Sequence, residues 1–157
     1  MKKVLLAIII AAAAVAAWYL FGDRLTDGGS PMVSATPTVT PLADDTIVLY
    51  EPLPETHGIT SPLTVRGKAR GTWFFEASFP VVLTDWDGRI IASVPAQAKG
   101  DWMTTDFVEF EATLTFDVPA GPGSNQPNRG FLILKKDNPS GLPENEDSRE
   151  ITVFFSK

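Results

Sequence analysis

The feature that most constrains the fold is an alternation of apolar and polar residues with a period of two. It is clearest at residues 107–116, FVEFEATLTF, where every second residue is apolar: Val108, Phe110, Ala112, Leu114 and Phe116. Successive side chains of a β-strand point to opposite faces, so this segment is typical of a strand with one buried and one solvated face. No segment of residues 46–157 sustains the spacing of an amphipathic helix. The alternation therefore predicts β structure for this region.

Seven strands are predicted between stretches rich in turn-forming residues, at 47–51, 63–69, 75–84, 89–97, 107–116, 130–136 and 150–155. Residues 85–88, DWDG, lie between two of these strands and are predicted to form a hairpin turn. The connections leave no length for crossover helices, so we expect an antiparallel β-sandwich of about seven strands. Because the chain contains no cysteine, burial of apolar side chains must hold the two sheets together.

The first 22 residues, MKKVLLAIIIAAAAVAAWYLFG, have a different character. Lys2 and Lys3 precede an uncharged run over residues 4–21, which as a helix is long enough to cross about 30 Å of hydrocarbon. Trp18 and Tyr19 lie near the end of this run, and both residue types are enriched at the membrane interface. The segment therefore predicts an apolar N-terminal helix.

Two interpretations of residues 1–22 remain open. The first is an uncleaved signal anchor that makes a single pass, with Lys2 and Lys3 in the cytoplasm and the C-terminal domain outside. The second is a signal peptide cleaved after a small-x-small motif within residues 14–17, which would release the domain as a secreted protein. Both interpretations place residues 46–157 outside the cytoplasm.

Residues 23–45 are predicted to link the two parts of the chain. Their sequence, DRLTDGGSPMVSATPTVTPLADD, is dominated by Gly, Ser, Thr, Pro and Ala. Such a composition buries too little apolar surface to offset its ordering entropy, so we expect a flexible linker. The predicted organisation is thus an N-terminal anchor or signal peptide at 1–22, a linker at 23–45 and a β domain at 46–157.

Composition excludes several classes of function. The formal net charge of −6 argues against a nucleic-acid partner, because phosphate binding needs a basic surface. The chain has no cysteine and one histidine, His57, in a predicted loop. The absence of cysteine excludes a thiolate nucleophile and a thiolate zinc site, and one histidine is too few for most histidine-based catalytic and zinc sites. We expect a protein that is not an enzyme and that holds no metal and no cofactor.

Several short motifs occur in an order that resembles one known family. They are residues 59–69 (ITSPLTVRGKA), 73–77 (WFFEA), 81–85 (VVLTD) and 138–141 (NPSG). Together they are similar to the immunoglobulin-like domain family of bacterial spore germination proteins, over roughly residues 47–155. The resemblance implies an Ig-like β-sandwich in an exported or membrane-anchored bacterial protein, and it implies no catalytic residues.

Three tryptophans of the predicted domain are candidate binding residues: Trp73, Trp86 and Trp102. Trp86 lies in the predicted turn, where we expect it to be exposed. Asp85 and Asp87 flank it, which predicts an acidic rim suited to neutral sugars or basic protein segments.

The sequence thus predicts a membrane-tethered, extracytoplasmic Ig-like module of the bacterial cytoplasmic membrane. We expect it to be non-enzymatic and to bind an envelope protein or polysaccharide, or to act as a spacer. The alternative is a carbohydrate-binding module that uses Trp86 and Trp102 as exposed stacking surfaces.

Overall fold

The computed structural model describes residues 40–123 and 125–156. These residues form eight strands: β1 (Ile47–Glu51), β2 (Thr56–Ile59), β3 (Leu63–Arg70), β4 (Ser78–Thr84), β5 (Ile90–Ala98), β6 (Phe107–Leu114), β7 (Arg129–Lys135) and β8 (Ser148–Phe155). The helical residues are two short 3-10 turns, Gly71–Trp73 and Pro143–Asn145. The prediction of an all-β domain is therefore confirmed.

The predicted N-terminal helix at 1–22 and most of the predicted linker lie outside the described residues. Within the described part of the chain, no helix has the length and apolar character that a membrane crossing requires.

The strands form one continuous sheet in the order β1-β3-β6-β5-β4-β7-β8-β2, which curls on itself. β5 and β6 are paired at only two positions, Gln97 with Glu111 and Ala98 with Phe110. This short seam divides the sheet into two parts, β1-β3-β6 and β5-β4-β7-β8-β2. Phe79 of β4 and Phe110 of β6 are not on neighbouring strands, yet their ring centroids are 4.9 Å apart. The two parts therefore face one another across a shared core, and the expected pair of sheets is a single curled sheet.

Strand β2 is absent from the sequence prediction. Its residues, THGI, show no alternation, because Ile59 is the only one of the four that is buried. β2 pairs in parallel with β8, whereas the other pairings are antiparallel. The prediction that His57 lies in a loop is wrong, since His57 belongs to this strand.

The predicted strand at 75–84 begins three residues too early. Phe75 is 42% exposed, and Glu76 and Ala77 both have positive φ angles, so these residues form a turn that precedes β4. Beyond the turn the predicted strand is confirmed, and its alternate residues Phe79, Val81 and Leu83 are all fully buried.

The core is centred on a group of aromatic rings around Phe79. Trp73, Phe74 and Phe110 pack edge-to-face on Phe79, with centroid distances of 5.8, 5.2 and 4.9 Å. Such pairs add roughly 0.5–1.5 kcal/mol beyond the burial of their area. Gly67 of β3 allows a close approach there, because a Cβ would lie 2.3 Å from the Val48 carbonyl oxygen and 2.8 Å from the Phe110 ring.

The register of the strands gives the domain two distinct ends. Leu63 pairs with Leu114 at one end of the β3–β6 ladder, and Arg70 pairs with Phe107 at the other. The turn at residues 44–47 lies beside Arg70, and we call this the lower end. The turn at 85–88, residues 115–123 and 125–128, and Ser156 lie at the opposite end, which we call the upper end.

Asp44 fixes the first described residues to the lower end. Its carboxylate accepts hydrogen bonds from the N–H groups of Thr46 and Ile47, at 2.7 and 2.9 Å, and from the Arg149 guanidinium. Arg149 in turn pairs with Asp147. The Leu49 N–H donates to the Leu42 carbonyl, so ordered structure starts a few residues before the predicted boundary at 46. Burial raises the pKa of Asp44, but the hydrogen bonds from Arg149, Thr46 and Ile47 outweigh this and hold the pKa well below its usual range.

Replacing Asp44 with Asn is expected to destabilise the domain in a pH-dependent way. A carboxylate whose pKa is lower in the folded state stabilises above its unfolded pKa of about 3.9, and this stabilisation is lost as the pH falls further. The thermal midpoint of Asp44→Asn should therefore be below that of the wild-type chain at neutral pH, and the difference should shrink as the pH falls below about 4.

Asp45→Asn is the matched control, because the Asp45 side chain accepts no hydrogen bond in the described structure. A difference that stays constant across this pH range, or an equal effect of the two variants, would show that the Asp44 carboxylate does not fix the lower end.

Candidate functional site

The turn at the upper end is built around a buried carboxylate. Asp85 is 3% exposed, and its Oδ1 accepts hydrogen bonds from the N–H groups of Asp87 and Arg89 at 3.0 and 2.9 Å. Its Oδ2 pairs with the Arg89 guanidinium at 3.1 Å. Gly88 has a φ of +78°, a conformation that glycine adopts without strain. The predicted hairpin turn is confirmed, and it holds Trp86 outward with 42% of its surface exposed.

The predicted acidic rim around Trp86 is wrong for Asp85. Burial by itself raises the pKa of Asp85. The hydrogen bonds from the N–H groups of Arg89 and Asp87, together with the charge of Arg89, lower it by more, so the pKa of this carboxyl lies below its usual range. Asp87 is the only exposed carboxylate of the turn, while the Arg89 side chain is 76% exposed. The turn therefore carries one net negative charge, on Asp87, and exposes the Arg89 guanidinium to solvent.

Trp86 lines a small notch together with residues from the connection between β6 and β7. The notch has a volume of about 230 Å³ and is lined by Trp86, Pro122, Gln126, Pro127 and Arg129. Gln126 also lines a neighbouring recess of about 710 Å³. Asn128 anchors this connection, because its side-chain amide donates to the Pro119 carbonyl and its own carbonyl accepts from the Phe155 N–H, each at 2.8 Å.

A stripe of aromatic side chains continues from the notch along the outer face of the sheet. The Arg129 guanidinium carbon lies 5.8 Å from the centroid of the Phe131 ring. Phe154 lies directly opposite Arg129 on β8, and its ring stacks on His57 with centroids 4.2 Å apart. We call Arg129, Phe131, Phe154 and His57 the aromatic stripe. His57 is thus a stacking partner on a strand.

The three predicted tryptophans do not form one surface. Trp73 is 1% exposed and belongs to the core, so it is not a surface binding residue. Trp102 is half-buried at the lower end, in a connection that packs on Gly71. β5 has nine residues and separates the Trp86 turn from the Trp102 connection by roughly 25 Å at the rise of a strand. Trp86 is therefore the only one of the three that lies on the upper end.

Arg129 lines the notch but is not predicted from the sequence as a site residue. Nothing in the local sequence around Arg129 distinguishes it from a solvated residue at the start of a strand. Its position beside Trp86 results from the pairing of β4 with β7, which aligns Thr84 with Phe131.

Among residues 40–123 and 125–156, no group of three or more His, Asp or Glu side chains is arranged to hold a metal ion.

The family is established by comparison with known proteins. A family model described as the immunoglobulin-like domain of bacterial spore germination matches residues 46–126, more than half of the chain. The chain belongs to this family, as the motifs in its sequence predicted. The match includes Trp86 and ends before Arg129. No curated protein and no solved structure matches the chain.

Replacing Asp85 with Ala is expected to loosen the turn that carries Trp86. The variant leaves two backbone N–H groups and the Arg89 guanidinium without their acceptor, so the thermal midpoint should fall by several degrees. Asp87→Ala is the matched control, because the Asp87 carboxylate is exposed and accepts no hydrogen bond in the described structure. Equal midpoints for the two variants would mean that Asp85 does not hold the turn.

Proposed function

We propose that this chain is a membrane-tethered, non-enzymatic Ig-like module on the outer side of the bacterial cytoplasmic membrane, and that it binds an envelope protein through its upper end. Family membership supports an Ig-like β-sandwich as the description of the curled sheet. The uncharged run at 4–21 behind Lys2 and Lys3 supports the tether and the orientation. Cleavage within residues 14–17 is the alternative, and it would give a secreted module with the same binding surface.

The observation that carries the binding proposal is the exposure of Trp86 on a fixed turn beside the notch. Tryptophans that anchor interfaces combine a large apolar area with a rigid position, and they are over-represented among the residues that dominate binding energy. The Asp85 carboxylate accepts three hydrogen bonds that fix the turn carrying Trp86. The turn therefore loses little conformational entropy when a protein binds to it.

A protein partner is favoured over a polysaccharide. The carbohydrate alternative uses Trp86 and Trp102 together, and these side chains lie at opposite ends of β5. In addition, the notch volume of about 230 Å³ is below the range of roughly 300–1,000 Å³ for small-molecule pockets, and the neighbouring recess of about 710 Å³ has no aromatic side chain in its described lining on which a sugar could stack. A notch of this size accommodates one apolar side chain of a protein.

Replacing Trp86 with Ala in the full-length chain tests the proposal. The chain is tagged, recovered from carbonate-washed membranes and used to capture proteins from envelope extract. Trp86→Ala should abolish specific capture while leaving the thermal midpoint within a few degrees of the wild type, because the side chain is outside the core. Met103→Ala is the matched control, since Met103 is an exposed apolar side chain at the lower end.

Three outcomes would each contradict a part of the proposal. Equal capture by the wild-type and Trp86→Ala chains would remove Trp86 from the interface. Capture of purified peptidoglycan that depends on Trp86, with no captured protein, would favour the carbohydrate alternative. Recovery of a soluble form that starts near Ala17 would replace the tether with the cleaved form.

A further inference from the structure

Arg129 differs from the other arginines in the described residues. Four of the five have hydrogen-bond acceptors inside the domain: Arg66 on Glu51 and Glu111, Arg70 on the carbonyl oxygens of Asp45 and Thr105, Arg89 on Asp85, and Arg149 on Asp44 and Asp147. Within the described residues the guanidinium of Arg129 has no such acceptor, and it makes a cation–π contact with the face of the Phe131 ring. Its hydrogen-bond donors are therefore free to bind a ligand.

The position of Arg129 leaves these donors open. Its guanidinium lies over the face of the Phe131 ring, and a contact of this kind leaves the edge of the planar group open for hydrogen bonding. The same side chain lines the notch with Trp86 and Pro127. An apolar anchor site and a cation with free donors thus lie side by side.

Arg129 is the one charged side chain among the described residues that line the notch. Asp85 is buried and pairs with Arg89, so it does not neutralise a second guanidinium. Asp87 is exposed on the same turn and forms no ion pair within the described residues. The guanidinium of Arg129 is thus available to a carboxylate that enters the notch.

We propose that the notch binds a protein segment in which a carboxylate stands next to an apolar side chain. The apolar side chain fills the notch between Trp86 and Pro127, and the carboxylate accepts two hydrogen bonds from the Arg129 guanidinium. This inference rests on the proposed function and specifies the chemistry of its partner. It reverses the expectation of a basic partner, because that expectation placed Asp85 on the surface.

Blocked octapeptides provide the probe for this chemistry. One panel carries a single Leu or Phe between two Glu residues, and the matched panel carries Gln in place of Glu. Binding to the full-length chain in detergent micelles is followed by fluorescence anisotropy of labelled peptides. The Glu panel should bind, and the Gln panel should bind at least about tenfold more weakly, the usual size of a charged hydrogen-bond contribution.

Variants at the two ends of β7 assign the effect to Arg129. Arg129→Gln should weaken binding of the Glu panel by at least about tenfold, and Arg129→Lys should give an intermediate loss, because it keeps the charge without the planar donor pair. Lys135→Gln is the matched control, since it removes the same charge from an exposed position at the other end of the strand. It should change the dissociation constant by less than about twofold.

Several results would overturn the inference. These are equal binding of the Glu and Gln panels, equal losses in Arg129→Gln and Lys135→Gln, or no binding of any Glu peptide at millimolar concentration. If Trp86→Ala abolishes capture from envelope extract while Arg129→Gln captures normally, the proposed function stands and the carboxylate inference fails.

Discussion

The packing of three aromatic rings on Phe79 is the interaction on which the rest of the structure depends. The sheet is continuous, but β5 and β6 share only two residue pairs, so hydrogen bonding contributes little to the closure of the curl. The chain has no disulfide that would replace it. Phe110 brings β6 to Phe79 of β4, and Trp73 brings the 3-10 turn of the lower end to the same ring. Burial at this one place therefore positions both parts of the sheet and, through β4, the turn that carries Trp86.

The turns at both ends of the domain are held by the same kind of interaction, a carboxylate that accepts backbone N–H groups and pairs with an arginine. At the lower end the carboxylate of Asp44 accepts backbone N–H groups and pairs with Arg149; at the upper end Asp85 does the same with Arg89. Each carboxylate satisfies donors that a turn would otherwise leave without partners. Arg89 and Arg149 are thus each paired with a carboxylate of their own turn, whereas Arg129 has no carboxylate partner among the described residues.

The sequence predicts the strands better than it predicts the site. Alternation places Phe110 and Leu114 in the core correctly, and the DWDG motif identifies the turn, because both signals are local. The burial of Trp73 depends on its packing against Phe79, which is a tertiary outcome, whereas the exposure of Trp86 follows from its place in the turn. Likewise, β2 has no alternation of its own, and it forms a strand because it pairs with β8. Asp at the first position of a turn is a known signal for an acceptor of backbone N–H groups, so the burial of Asp85 was open to prediction, whereas the position of Arg129 was not.

The most direct measurement compares two phenylalanines that lie four residues apart in the same region of the chain. Phe79 is fully buried and Phe75 is 42% exposed. Urea unfolding of the full-length chain in detergent, followed by tryptophan fluorescence, should show that Phe79→Ala lowers the free energy of unfolding by about 3–5 kcal/mol in a single transition. Phe75→Ala should lower it by less than about 1 kcal/mol. Similar losses for the two variants, or two separate transitions in Phe79→Ala, would contradict the claim that one aromatic core holds both parts of the sheet together.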